Sequence, residues 1–299
     1  MKRLLLLLVC GLVLGSAVLV SWGAKAPPPD DVARSASIKL FESLDDSQKK
    51  PAVKDFNDKE RFVEAFPAVE RPGLSFDKLS AEQKRLVEDL LRAMTSEYGA
   101  SRSLAVAKQT PANRTYLNFF GTPAADKPFA CRIAAHHLTL IYAEFGKEKT
   151  ADFGPILMGG NPVNDLWDAE EKLALELYAA LTPEELRSVK GKGGSGSGAA
   201  IGASGMAIGD LSEKPRALAG KLLQQRLAVL SDDRRRAFEE MMRRDGGVEK
   251  LRIAFWGDAD KSHRDNGTYQ WKIGGNSVLC DWQTVGKNHI HMTLRARGK

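Results

Sequence analysis

The chain of 299 residues has little cysteine, only Cys10, Cys131 and Cys280, which excludes a disulfide-dense miniprotein. It also lacks the short signatures of several common catalytic sites. There is no Gly-x-Ser-x-Gly nucleophile turn, no His-Glu-x-x-His pair and no Cys-x-x-Cys. No Gly-Lys-Ser/Thr marks a phosphate loop. Residues 191–209 do contain Gly191-x-Gly193-x-x-Gly196, formally a dinucleotide fingerprint. A helical pattern precedes it and more glycine follows, so a flexible Gly/Ser/Ala loop is expected there.

What is present is an ordinary globular composition. Apolar residues make up 43% and charged residues 27%, which is not the profile of a disordered chain. The length allows one large domain or two small ones. A single long apolar run, Leu4 to Val20, follows Lys2 and Arg3. A basic head with a leucine-rich core reads as a secretory signal peptide, and the small residues Ser21 and Gly23 place cleavage after Gly23 or Ala24. The alternative is an uncleaved anchor, because the run is close to spanning length. The expected organisation is a leader or anchor at 1–24, a Pro-rich tether at 25–35 and one domain at 36–299. The protein is expected outside the cytoplasm, in the periplasm, the envelope or the medium, with the N-terminal segment as its only membrane contact.

Loss of Lys2 and Arg3 lowers the formal net charge from +6 to +4. Arg234-Arg235-Arg236 and Arg243-Arg244 resemble a nucleic-acid patch, but Glu239, Glu240 and Asp245 interleave with them. A solvated helix face is expected, and no nucleic-acid partner. Cys131 and Cys280 remain after cleavage and have two readings, a disulfide or two buried thiols.

Helix starts repeat one device. Ser80 precedes Ala81-Glu82-Gln83, Thr182 precedes Pro183 and Glu185, and Ser231 precedes two aspartates. Strands are expected at Thr115–Phe120, at Phe129–Phe145 as one run, and at Phe153–Met158. The C-terminal part reads as a meander of Thr268–Ile273, Ser277–Thr284 and His289–Arg295, joined by Gly/Asn turns. Helices and antiparallel strands in separate runs give an α+β fold, with helices on a mostly antiparallel sheet and a C-terminal meander carrying the His-x-His strand.

Four of the five histidines fall in two strand-like clusters, His136-His137 and His289-Ile290-His291, while His263 stands alone in a polar loop. Alternation puts His289 and His291 on one face of their strand, where two imidazoles can share one metal ion. By the same parity His137 is the better partner, provided the two strands lie side by side. Asp281, one hairpin turn earlier, adds a carboxylate. His137, His289, His291 and Asp281 would suit a divalent ion, zinc or another first-row metal. A second reading is a metal-free polar pocket for an unidentified small molecule, formed by the histidines including His136 with Asn161, Asn288, Tyr142, Trp271 and Trp282. A third is a purely structural polar cluster.

Four stretches carry a family resemblance: Phe56 through Leu91, with its Arg71-x-Gly73-Leu74 turn and Leu79-Ser80-x-x-Gln83 helix start; Phe119-Phe120-Gly121-Thr122-Pro123 leading to Ala135-His136-His137-Leu138-Thr139-Leu140; Leu157-Met158-Gly159-Gly160-Asn161-Pro162; and Leu279–Thr284 with Asn288-His289-Ile290-His291-Met292-Thr293. The chain resembles the secreted bacterial and fungal family called domain of unknown function 3500. The resemblance implies export and a single α+β domain. It places both histidine clusters and Asp281 at signature positions and implies no activity. Ala135 stands where members have glycine, and Leu294-Arg295-Ala296 where they have Trp-Arg-Asp.

Overall fold

The computed structural model describes residues 29–63, 72–144, 153–193 and 200–296. The expected leader, Arg71, Gly196 and the chain's last residues lie outside them. Among the described residues no helix is long and apolar enough to cross a membrane.

The described residues contain eight helices: α1 (Pro29–Glu42), α2 (Asp46–Ala52), α3 (Ala81–Met94), α4 (Glu97–Ala107), α5 (Asp168–Ala180), α6 (Pro183–Val189), α7 (Glu213–Leu227) and α8 (Asp232–Arg244). Among the described residues eleven strands form one sheet: β1 (Val53–Lys54), β2 (Leu74–Ser75), β3 (Tyr116–Phe120), β4 (Phe129–Ala135), β5 (Leu138–Glu144), β6 (Phe153–Gly160), β7 (Met206–Ala207), β8 (Arg252–Gly257), β9 (Tyr269–Gly274), β10 (Val278–Gly286) and β11 (His289–Ala296). Their order is β1-β3-β4-β5-β6-β11-β10-β9-β8-β7, with β2 on β3. Apart from the parallel pair β1–β3, the strand pairings are antiparallel, and β8 to β11 run as a meander. The fold is α+β, as the separate runs of helix and strand signals imply.

Cap chemistry sets the helix starts. Ser80 and Gln83 form a reciprocal capping box on α3, and Thr182 with Glu185 does the same on α6, where Pro183 takes the first turn. From there Leu86, Val87, Leu90, Leu91 and Met94 present one buried stripe on α3. On α8, Arg235 and Asp232 pair at 3.1 Å, and Arg244 and Glu240 at 3.3 Å. Arg234 instead is buried and donates to the Ile141 carbonyl at 3.0 Å.

Strand alternation divides the sheet into two faces. Phe129, Cys131 and Ile133 of β4, Met158 of β6, Met292 of β11 and Trp282 of β10 share one core with the helix residues Leu90, Leu177, Leu222 and Phe238. The other face carries polar groups that are also buried: Asn118, Arg132, Thr139, Thr293, Asp281 and Lys272.

Several expectations need correction. The helix begins at Pro29, so most of the expected tether at 25–35 is helical. From residue 200 onward the glycine-rich loop is anchored. Ile201 is buried, Ser204 Oγ bonds both the N–H and the C=O of Lys192 at 3.0 Å, and β7 pairs with β8. The single strand expected at Phe129–Phe145 is a hairpin, β4 and β5. Its length was itself a signal, since strands usually hold fewer than about ten residues.

Cys131 and Cys280 do not pair. Both are free and buried. Cys131 lies on β4 and Cys280 on β10, with β5, β6 and β11 between them. Four strand spacings make about 19 Å along the sheet, against a Cα–Cα reach of about 7 Å for a disulfide. Burial pushes both thiols up, that of Cys280 to about 12.

Candidate metal centre

His136 and His137 are the two loop residues of the β4–β5 hairpin, which the Ala135–Leu138 pair closes. Extending the alternation of β5 backward puts His137 on the face of Thr139 and Ile141, as parity implies. The strand beside it is not the His-x-His strand, however. β6 lies between β5 and β11. Leu138 pairs with Met158, which sets Gly159 beside His137, and Gly159 in turn pairs with His291.

The two imidazoles therefore flank a residue without a side chain and close over it. A Cβ at Gly159 would run into the Ile290 carbonyl oxygen and meet His137 Cδ2 at 3.4 Å. The buried Trp167 indole N–H holds the Gly159 carbonyl at 3.1 Å.

The result is a tetrad of His136, His137, His289 and His291, whose ligand nitrogens all lie within 4.8 Å of one another. His137 Nε2 is 2.9 Å from His289 Nε2, which is 3.1 Å from His291 Nε2. The rings meet edge-on, at 78° for His137–His289 and 88° for His289–His291. Nitrogens about 2.0–2.1 Å from a zinc ion at tetrahedral angles would stand about 3.4 Å apart, so the cluster has the right size. His137 is 3% exposed, while the other three are partly open to solvent.

Protonation is disfavoured at three of the four rings. Burial first, then the neighbouring His136, His291 and His289, holds His137 down at about 3. Burial with His289 and His136 brings His291 to about 3, and burial with His136 lowers His289. A neutral imidazole offers one N–H and one lone pair. Where several ring nitrogens converge, a cation at their centre accepts all the lone pairs at once, and neutral ligands need lose no proton to bind it.

Asp281 lies outside this set. It shares the face of His291 but sits two residues along β10 from Gln283, the partner of His291, about 7 Å down the strand. It is fully buried, its Oδ1 accepts the Thr293 N–H at 2.8 Å, and Lys272 stands opposite on β9. His136 takes the place assigned to it.

The expected aromatic wall is also displaced. Trp282 alternates with Asp281 and Gln283 and so points to the helix side. There it stacks on Trp271, with centroids 6.5 Å apart at 11°, and Tyr142 joins the same core. Asn288 is a clamp and no pocket wall. It holds φ at 56° in the β10–β11 turn, its carbonyl accepts the Val163 N–H at 2.9 Å, and its Oδ1 accepts the Asn164 N–H at 3.2 Å. Asn161 is exposed, with its N–H donated to Gln109 Oε1 at 3.1 Å.

One supporting pair had no sequence signal. His263 is fully buried, not alone in a polar loop. Glu171 of α5 accepts its backbone N–H at 2.8 Å, meets its Nδ1 at 2.7 Å, and also accepts Ser262 Oγ and the Tyr269 hydroxyl. Burial pushes the Glu171 carboxyl up, but these bonds outweigh it and the group lies below its ordinary value. The His263 carbonyl accepts the Asn288 N–H at 3.2 Å, so the pair braces the turn from which His289 emerges. The chain's 38 acids gave no means of picking Glu171; only its contact with His263 does.

A family model described as protein of unknown function (DUF3500) matches residues 28–299. The chain belongs to this family. The match covers both strands of the histidine hairpin and the whole meander, so the tetrad lies inside the DUF3500 region. No curated protein and no solved structure matches the chain.

Proposed function

We propose that the histidine tetrad binds one divalent first-row metal ion, zinc by its ligand set, and that this DUF3500 protein is an exported metal-dependent hydrolase acting on a small molecule. The observation that carries the reading is the convergence of four imidazoles from two segments about 150 residues apart in sequence. Imidazole suits zinc, copper, iron and nickel. Neutral ligands leave the ion's double charge unreduced, and with three of the imidazoles holding it the fourth position would take a water whose pKa falls close to neutrality. His136, His289 and His291 are partly exposed, which gives water and substrate access. The leader at 1–24 supports export, with cleavage releasing the domain.

The test is metal content by mass spectrometry on protein exported from its host, beside a His289→Ala/His291→Ala double variant. The reading expects close to one ion per chain, lost in the variant. It also expects ester or amide hydrolysis that a chelator removes and zinc restores. Folded wild-type protein that takes up no ion from zinc-supplemented buffer would overturn it.

A further inference from the structure

The row of residues that crosses the sheet at His291 continues away from the tetrad. His291 pairs with Gln283, Gln283 with Gln270, and Gln270 with Trp256, so all four side chains lie on one face. Beyond His291 they line a hollow of about 190 Å³, together with Thr268 and Thr284. Gln270 is 2% exposed, yet neither its Oε1 nor its Nε2 has a hydrogen-bond partner. Buried carboxamides are nearly always satisfied, and an orphaned one costs stability. Trp256 beside it is fixed, because its indole N–H donates to the Gly193 carbonyl at 3.2 Å and its ring lies against Gly191.

We propose that this hollow is a binding subsite for one ring of a neutral carbohydrate, held by the Gln270 carboxamide and the Trp256 ring. The chemistry selects the class. The carboxamide must both donate and accept, and adjacent ring hydroxyls each do both. The lining carries no acid, lysine or arginine, and Lys272, whose Nζ lies 5.2 Å from the Trp256 ring centroid, is itself fully buried. An aromatic ring complements the apolar C–H face of a sugar. The volume is below the roughly 300 Å³ of a drug-sized site, so it takes a single ring. An extended peptide fits less well. The outer edge of β8 is occupied beside the hollow, where the Gly191 N–H donates to the Phe255 carbonyl at 2.7 Å, and no free edge remains there for main-chain pairing.

Trp256 stands three strands from His291, about 14 Å, so a second ring would extend over Gln283 toward the tetrad. This placement of the subsite as part of a hydrolytic site rests on the metal reading; binding in the hollow does not.

The experiment measures binding of cellobiose, maltose, xylobiose and chitobiose, with glycylglycinamide as the peptide arm. Ligand-observed NMR and tryptophan fluorescence are read on the full exported chain, with and without zinc. At least one disaccharide should bind wild type and Trp256 emission should change. Gln270→Leu should weaken that binding on the order of tenfold or more while raising the melting temperature by about 2 °C or more, since it removes two unsatisfied polar atoms. His289→Ala/His291→Ala should still bind. If no disaccharide binds, if only glycylglycinamide does, or if Gln270→Leu binds as wild type does, the proposal fails. A Gln270→Leu protein that melts lower makes the amide structural and overturns it equally. Sugar binding that survives in a protein shown to hold no metal retires the hydrolase reading and leaves the subsite.

Discussion

Replacing Gly159 by alanine tests the geometry that brings the tetrad together. The new methyl group would sit well inside 3.0 Å of the Ile290 carbonyl oxygen, and that oxygen belongs to the backbone of β11. An ordinary C···O contact is about 3.3 Å. Strands β6 and β11 must therefore part by on the order of 1 Å, which moves His291 relative to His137. Forced overpacking of this kind costs about 1–3 kcal/mol, a fall of about 2–12 °C in melting temperature for a domain of this size. Metal–nitrogen distances tolerate about 0.2 Å, so zinc affinity should drop by about ten- to a hundredfold.

Gly220 in α7 is the control. A Cβ there meets nothing within 4 Å, and its φ is ordinary for a helix. Gly220→Ala should raise stability by about 0.5–1 kcal/mol and leave zinc affinity unchanged. Calorimetric scanning and zinc titration with a competing chelator read both variants. A Gly159→Ala protein that melts with wild type and binds zinc equally would refute the packing of His137 and His291 across β6.

Three further outcomes are expected. In metal-free protein the folded pKa values of His137 and His291, about 3, lie below the ordinary 6.5. The unfolded chain then takes up protons first, so the penalty is absent above about pH 7 and stability falls from about pH 6.5 toward 3. Urea midpoints at pH 7, 5.5 and 4.5 should decline and should decline less in His291→Gln; equal slopes would contradict the pKa assignment. Glu171 runs on its own window, because its lowered pKa stabilises the fold above about 4.5 and the contribution is lost as pH falls through the folded value. At pH 7 Glu171→Gln should cost about 2–4 kcal/mol in denaturant unfolding, and a cost within error of zero would show that the His263 bonds carry no stability. Finally, peptide mapping without reductant should find Cys131 and Cys280 unlabelled in native protein and both alkylated after denaturation. Their resistance to alkylation when unfolded would mean a disulfide.

Much of the fold was legible because local chemistry decides it. Ser80 with Gln83 and Thr182 with Glu185 start helices through bonds made within four residues. The Gly/Asn turns at Gly274–Asn276 and Gly286–Asn288 end strands, so the meander and its His-x-His face follow from alternation alone. The hairpin at His136-His137 was hidden for the same reason. It has no glycine or asparagine, and its histidines are not among the described non-glycine residues with positive φ. No turn residue separated β4 from β5 in the run from Phe129 to Glu144.

The sequence by itself determined that two histidine pairs exist, that one lies on a single strand face, and that the chain is an α+β protein of this family. Only the tertiary structure decided their meeting. Strand order put β6 between the pairs, and the missing side chain of Gly159 let the imidazoles close over it. The same order held Cys131 and Cys280 too far apart to bond, and alternation turned Trp282 into the helix-side core while leaving Gln270 in the hollow beside His291. These are consequences of which strands become neighbours, a property set by the packing of the whole sheet against its helices and not by any stretch of chain alone.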